Sequence, residues 1–183
     1  SPRIWLGAGY FSLGVAVLAK GPVSLVLVGL ILIIFFTLRP ETYSWRKLWL
    51  IPGGFLSLAV ALPWYVLCFQ ANGWNFIREF FFQHNLARFA TDRFQHSQPI
   101  WFFLFVIIIG FFPWTLQFGA AFLQDLKRLR RSEKRACNSD TLFFWLWVIV
   151  PLIFFSLSRS KLPGYILPIF PAIALLTAAY WED

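Results

Sequence analysis

Residues 141–181 read TLFFWLWVIVPLIFFSLSRSKLPGYILPIFPAIALLTAAYW, and Arg159 and Lys161 are the only charged residues in the stretch. Two apolar runs, 141–157 and 165–181, flank a short connector carrying those two cations with a proline and a glycine. Each run reaches the length, roughly 17 residues or more, that lets a helix cross the hydrocarbon core of a bilayer. Four more runs of this kind lie upstream, at about 4–19, 22–38, 49–69, 100–120. None of the runs contains Asp, Glu, Lys or Arg, and Lys20 caps the end of the first. The chain is 59% hydrophobic and 21% aromatic, more apolar surface than 183 residues could bury in a water-soluble domain. The expectation is an all-α, polytopic membrane protein of about six transmembrane helices, with residues 1–183 forming part of one multi-span domain.

The sequence has no Met and opens directly on an apolar run, without the charged region of a signal peptide. It therefore reads as an internal portion of a longer protein.

The basic residues set the expected orientation. With the N-terminus inside, the cytoplasmic segments hold Arg3, Arg39, Arg46, Lys47, Lys127, Arg128, Arg130, Arg131, Lys134 and Arg135 of the 16 Lys and Arg. The excess of inner cations fits the positive-inside rule, most clearly in the basic loop 121–140 with its KRLRRSEKR run. That run reads as a topological anchor touching lipid headgroups, not as a nucleic-acid site. Lys20, Arg78, Arg88, Arg93, Arg159 and Lys161 fall outside, where the acids are Glu79 and Asp92. Topology does not require these outer cations, and they gather where an anion could bind. Cys68 and Cys137 fall on opposite sides of the bilayer, so they do not pair and make no metal cluster.

The longest outer segment, 70–99, contains a turn at Asn72-Gly73 and a stop at Pro99. Its residues 74–89 suit a helix lying in the outer membrane interface, apolar almost all round. An aromatic anchor explains its Phe and Trp residues. It leaves His84, Asn85 and Arg88, close together, to be explained. Trp114 after Pro113 reads as kink and packing. Lys20-Gly21-Pro22 is a tight turn that is either a plain connector or part of a site.

Six stretches then carry a resemblance: LAKGPV (18–23), LPWYV (62–66), FFFQHNLARF (80–89), His96 with Pro99 and Trp101, GFFPWT (110–115) and SKLPGYILPIFPA (160–172). In order and spacing the chain resembles the bacterial GT-C glycosyltransferases related to protein O-mannosyltransferases and the lipid A aminoarabinose transferase. The resemblance implies transfer of a sugar from a polyprenyl-phosphate carrier to a lipid, glycan or protein acceptor. The reaction would take place on the extracytoplasmic face of the bacterial inner membrane. It implies that the catalytic carboxylate sits in a first outer loop upstream of this chain, so no catalytic residue is assigned here. It also places Arg88 and Tyr165 near the carrier phosphate. A divalent metal, held in some relatives by a His and a Glu near this segment, would have His84 as its candidate ligand; Gln83-His84-Asn85 lacks the adjacent acid.

The chemistry gives the outer cations a purpose, because the leaving lipid phosphate gains negative charge that fixed cations stabilise in a low-dielectric site. Arg88, Lys161, Tyr165, His84, Asn85 and Lys20 are the candidate substrate-binding residues, with Arg88 and Tyr165 expected to open on one cavity and Lys161 at its rim. The competing reading of the 158–172 connector is an ordinary link with snorkelling cations. The alternative function is a transporter or flippase of lipid-linked or anionic substrates, although the spans lack the ionisable residues that coupling requires.

Overall fold

A computed structural model of the chain describes residues 2–40, 48–80, 98–130 and 138–182. It divides into two compact units, Ser1–Phe89 and Ala90–Asp183. Among the described residues the regular elements are helical.

The first unit holds α1 (Pro2–Lys20), α2 (Val23–Leu38) and α3 (Leu50–Ile77). Helices α1 and α3 pack together through small residues that let their backbones approach. Gly14 lies against Val60 and the Ser57 carbonyl, and Gly53 lies against the Tyr10 ring. Two hydrogen bonds tie the pair: Ser57 Oγ donates to the Tyr10 carbonyl at 2.7 Å, and Tyr10 Oη to the Leu48 carbonyl at 2.7 Å.

Helix α3 is broken near its end. Gly73 has φ 57° and ψ −145°, outside the helical region and open to a residue without a β-carbon. Along an unbroken helix Trp64 and Phe76 would stand about 18 Å apart. Their ring centroids lie 5.9 Å apart, so the chain folds back on itself after the Asn72-Gly73 turn. Residues 74–77 are helical and 78–80 form a π-turn; the rest of the expected interfacial helix, 81–89, lies outside the described residues.

The second unit holds α4 (Phe102–Gly110), α5 (Thr115–Arg130), α6 (Ser139–Leu157), two 3-10 turns (Pro163–Tyr165 and Leu167–Ile169) and α7 (Phe170–Glu182). Its core brings together Phe103 and Ile107 of α4, Val148 of α6, and Ile166, Ile169 and Ile173 around the 3-10 turns. Against the same core, Trp145 of α6 packs on Phe118 and Phe122 of α5 and donates its indole N–H to Asp125 at 2.8 Å.

Two helices, Leu50–Phe76 and Ser139–Leu157, are long and apolar enough to cross a membrane. The expected fourth span, 100–120, is not one straight helix. Phe102–Gly110 and Thr115–Leu129 meet at a bend of 117°, so the described spans number three when the bent pair counts as one. Gly110 and Pro113 bracket the break: Pro offers no N–H to the ladder and Gly resists helix. Residues 121–130 of the expected basic segment continue α5. Helix α2, with 16 residues, is about 24 Å long and falls short of the roughly 30 Å hydrocarbon core. The last expected span, 165–181, begins as 3-10 turns because Pro163, Pro168 and Pro171 interrupt the ladder.

Large side chains such as Phe55, Ile109 and Leu116 remain more than two-thirds exposed along these helices, which suits a lipid or protein environment and not water. The fold is an all-α, polytopic membrane fold.

Candidate functional site

The connector after α6 is built by a short chain of hydrogen bonds. Helix α6 ends at Leu157, and Ser158 turns extended with its N–H still bonded to the Phe155 carbonyl at 3.1 Å. Ser158 Oγ then donates to the Ser160 carbonyl at 3.1 Å. The Ser158 carbonyl, released by the end of the helix, accepts from Lys161 Nζ at 2.6 Å. Pro163 starts the first 3-10 turn, closed by Tyr165 N–H on the Leu162 carbonyl at 3.0 Å. Ile166 and Ile169, both fully buried, fasten the connector to the core, and Trp147 Nε1 donates to the Pro168 carbonyl at 3.1 Å.

This arrangement separates the two cations that the sequence places side by side. Arg159 is exposed. Lys161 is 7% exposed, so it does not snorkel, and among the described residues no carboxylate lies within ion-pair distance of it. An ammonium carries three donors, and the Ser158 carbonyl takes one. A buried cation with spare donors is costly unless an anion or further acceptors complete its shell. Tyr165, half-buried, lies four residues on with its ring 5.3 Å from that of Phe155. The pair offers one fixed positive charge and a phenolic hydroxyl on the same short turn.

In the first unit, Lys20 is exposed at the end of α1, where its charge complements the helix C-terminus. The turn it opens is heavily bonded. Gly21, at φ 75°, donates to the Val17 carbonyl at 2.8 Å, and Ser24 Oγ reaches the Gly21 and Ala16 carbonyls at 2.7 and 3.0 Å. His84, Asn85 and Arg88 lie outside the described residues, so the expected shared cavity and the candidate metal ligand do too. No cluster of His, Cys, Asp and Glu suited to a metal occurs among the described residues.

Two groups escaped the sequence reading. Tyr65, in the LPWYV stretch, has its ring 6.2 and 5.5 Å from Phe76 and Phe80 and donates its hydroxyl to the Val17 carbonyl at 3.1 Å. Asp125 receives the Trp145 N–H and sits 3.6 Å from Arg128, beside a cavity of about 30 Å³ also lined by Gln124, Thr141 and Tyr180. With its carboxylate held between those partners, Asp125 joins helices. A larger groove of about 430 Å³ follows α3 past Leu62, Pro63 and Val66, with Gln70 its one polar side chain, too few groups to orient an anion.

No protein-family model matches the sequence. Individual proteins do. The chain is 38% identical over 128 residues to undecaprenyl phosphate-alpha-4-amino-4-deoxy-L-arabinose arabinosyl transferase 2 of Pseudomonas fluorescens, which covers 70% of this chain and 21% of that protein. It is 38% identical over 132 residues to the corresponding transferase of Serratia proteamaculans, covering 70% and 22%. The crystal structure of ArnT from Cupriavidus metallidurans bound to undecaprenyl phosphate superposes with a TM-score of 0.83 at 32% identity, over 100% of this chain and 32% of that one. The apo structure of the same protein gives 0.76, also at 32% identity, over 99% and 30%. The chain thus spans about a fifth of the length of its curated relatives.

Proposed function

The chain belongs to the GT-C glycosyltransferases typified by the aminoarabinose arabinosyl transferases, and from that premise we propose that it serves sugar transfer from a polyprenyl-phosphate carrier. The reaction breaks the bond between the sugar and the carrier phosphate and forms one to an acceptor hydroxyl on a lipid, a glycan or a protein. The hydroxyl proton goes to a base outside these residues, and the lipid phosphate leaves with the electron pair. We place this at the extracytoplasmic face of the bacterial inner membrane.

The observation that carries the reading is Lys161, a buried ammonium with two donors to spare and no carboxylate beside it among the described residues. A phosphate supplies what the site lacks. As the carrier leaves, its growing charge is met by a cation already fixed in place, so little reorganisation is needed in the transition state. Tyr165 can donate a second hydrogen bond from the same turn. Arg88, His84, Asn85 and Lys20 are proposed as further carrier contacts on the strength of the sequence resemblance. His84 is also the residue proposed for a divalent metal, if the full protein uses one.

The transporter reading finds less support. The broken α4–α5 pair has the outline of a discontinuous transporter helix, but its break, Phe111, Phe112, Pro113 and Trp114, brings no charged side chain to bind a charged substrate. The test is an assay of the full-length protein in vesicles with an undecaprenyl-phosphate-linked sugar as donor. Release of undecaprenyl phosphate coupled to glycosylation of the acceptor is the expected result. Movement of the intact donor across the bilayer without release would establish the transporter reading instead.

A further inference from the structure

Two of the outer segments singled out in the sequence meet on one side chain of the first unit. Residues 74–80 fold back along α3 and lead into the HNLARF stretch, while Lys20 opens the turn between α1 and α2. Tyr65 touches both. Its ring lies among Trp64, Phe76 and Phe80, with centroids 5.1, 6.2 and 5.5 Å away. Its hydroxyl reaches out of that cluster to the Val17 carbonyl at 3.1 Å. Val17 is buried, and the same carbonyl accepts the Gly21 N–H, which closes the Lys20 turn.

We infer that Tyr65 is a positioning residue that ties the Lys20 turn to the folded-back aromatic segment, and so sets where the Lys20 ammonium stands relative to the carrier phosphate. The inference rests on the carrier reading above and adds to it a residue with no charge and no place in the proposed phosphate shell. Phenylalanine would fill the aromatic cluster as well, because ring packing does not need the oxygen. The hydroxyl adds the bond to Val17. That bond reaches the last turn of α1, where a small rotation of the helix end would swing the long Lys20 side chain.

The test compares Tyr65→Phe, Lys20→Ala and the double variant in the full-length protein, reading the dissociation constant for undecaprenyl phosphate together with thermal stability. Tyr65→Phe should unfold at nearly the wild-type temperature and bind about three- to tenfold more weakly, the scale of one neutral hydrogen bond. In the Lys20→Ala background the same change should have almost no further effect, because the group being positioned is gone. Wild-type affinity in Tyr65→Phe, alongside a weakened Lys20→Ala, would overturn this inference alone. An equal loss in both backgrounds would also overturn it, since Tyr65 would then act through something other than Lys20. Wild-type affinity in Lys20→Ala would remove Lys20 from the carrier site and this inference with it.

Discussion

Gly53 of α3 faces the ring of Tyr10 of α1 so closely that a β-carbon on Gly53 would overlap the Cδ2, Cε2 and Cζ atoms of the ring. The ring cannot easily swing aside, because its hydroxyl is bonded to the Leu48 carbonyl at 2.7 Å. Close approach of α1 and α3 therefore depends on the absence of a side chain at one position.

Gly53→Ala should lower the stability of the full-length protein in detergent by about 1–3 kcal/mol, as overpacking does in a well-filled interior. Combining it with Tyr10→Ala should recover part of the loss. Unfolding of Gly53→Ala at the wild-type temperature would show that the two helices have room to spare.

A second prediction concerns the joint between α5 and α6. Asp125→Leu leaves the Trp145 indole N–H without its acceptor in a partly buried position, a cost of about 1–3 kcal/mol. Trp145→Phe removes the donor and leaves Asp125 beside Arg128, so Asp125→Leu should cost less in that background than in the wild type. Thermal unfolding of the two single variants and the double variant measures the coupling. Strict additivity would mean the hydrogen bond contributes nothing.

These two contacts show where reading the sequence succeeds and stops. Ser139–Leu157 was legible because seventeen residues without a charge, 141–157, admit one structure in a bilayer. The turn at Asn72-Gly73 was legible from its residue types. The 100–120 run was read as one span because hydropathy ignores direction; Pro113 signalled a kink, but not a bend of 117°. Its motif and company make Lys161 a candidate site residue. Its burial was not legible, since a snorkelling lysine and a buried one have the same neighbours in sequence, and only the Ser158 carbonyl and the packed isoleucines decide between them. Tyr65 and Asp125 act across long separations in the chain, with no local signature.

Orientation gives a third prediction. Cysteines introduced as Ser132→Cys and Ser97→Cys in the full-length protein should react with membrane-impermeant reagents from the cytoplasmic side and the outer side respectively. Labelling of both from one side would overturn the topology argued from the basic residues.

The central claim is that Lys161 is held in place for a carrier phosphate, and Lys161→Met tests it most directly. Methionine keeps most of the buried length and removes the charge, and the desolvation it spares offsets the donor that the Ser158 carbonyl loses, so the unliganded protein should keep its stability. The measurement is the affinity of the full-length protein for undecaprenyl phosphate, read beside its unliganded thermal stability. The account predicts unchanged stability and an affinity about tenfold or more weaker, the scale of a lost charge-assisted hydrogen bond. Wild-type affinity in Lys161→Met would contradict it.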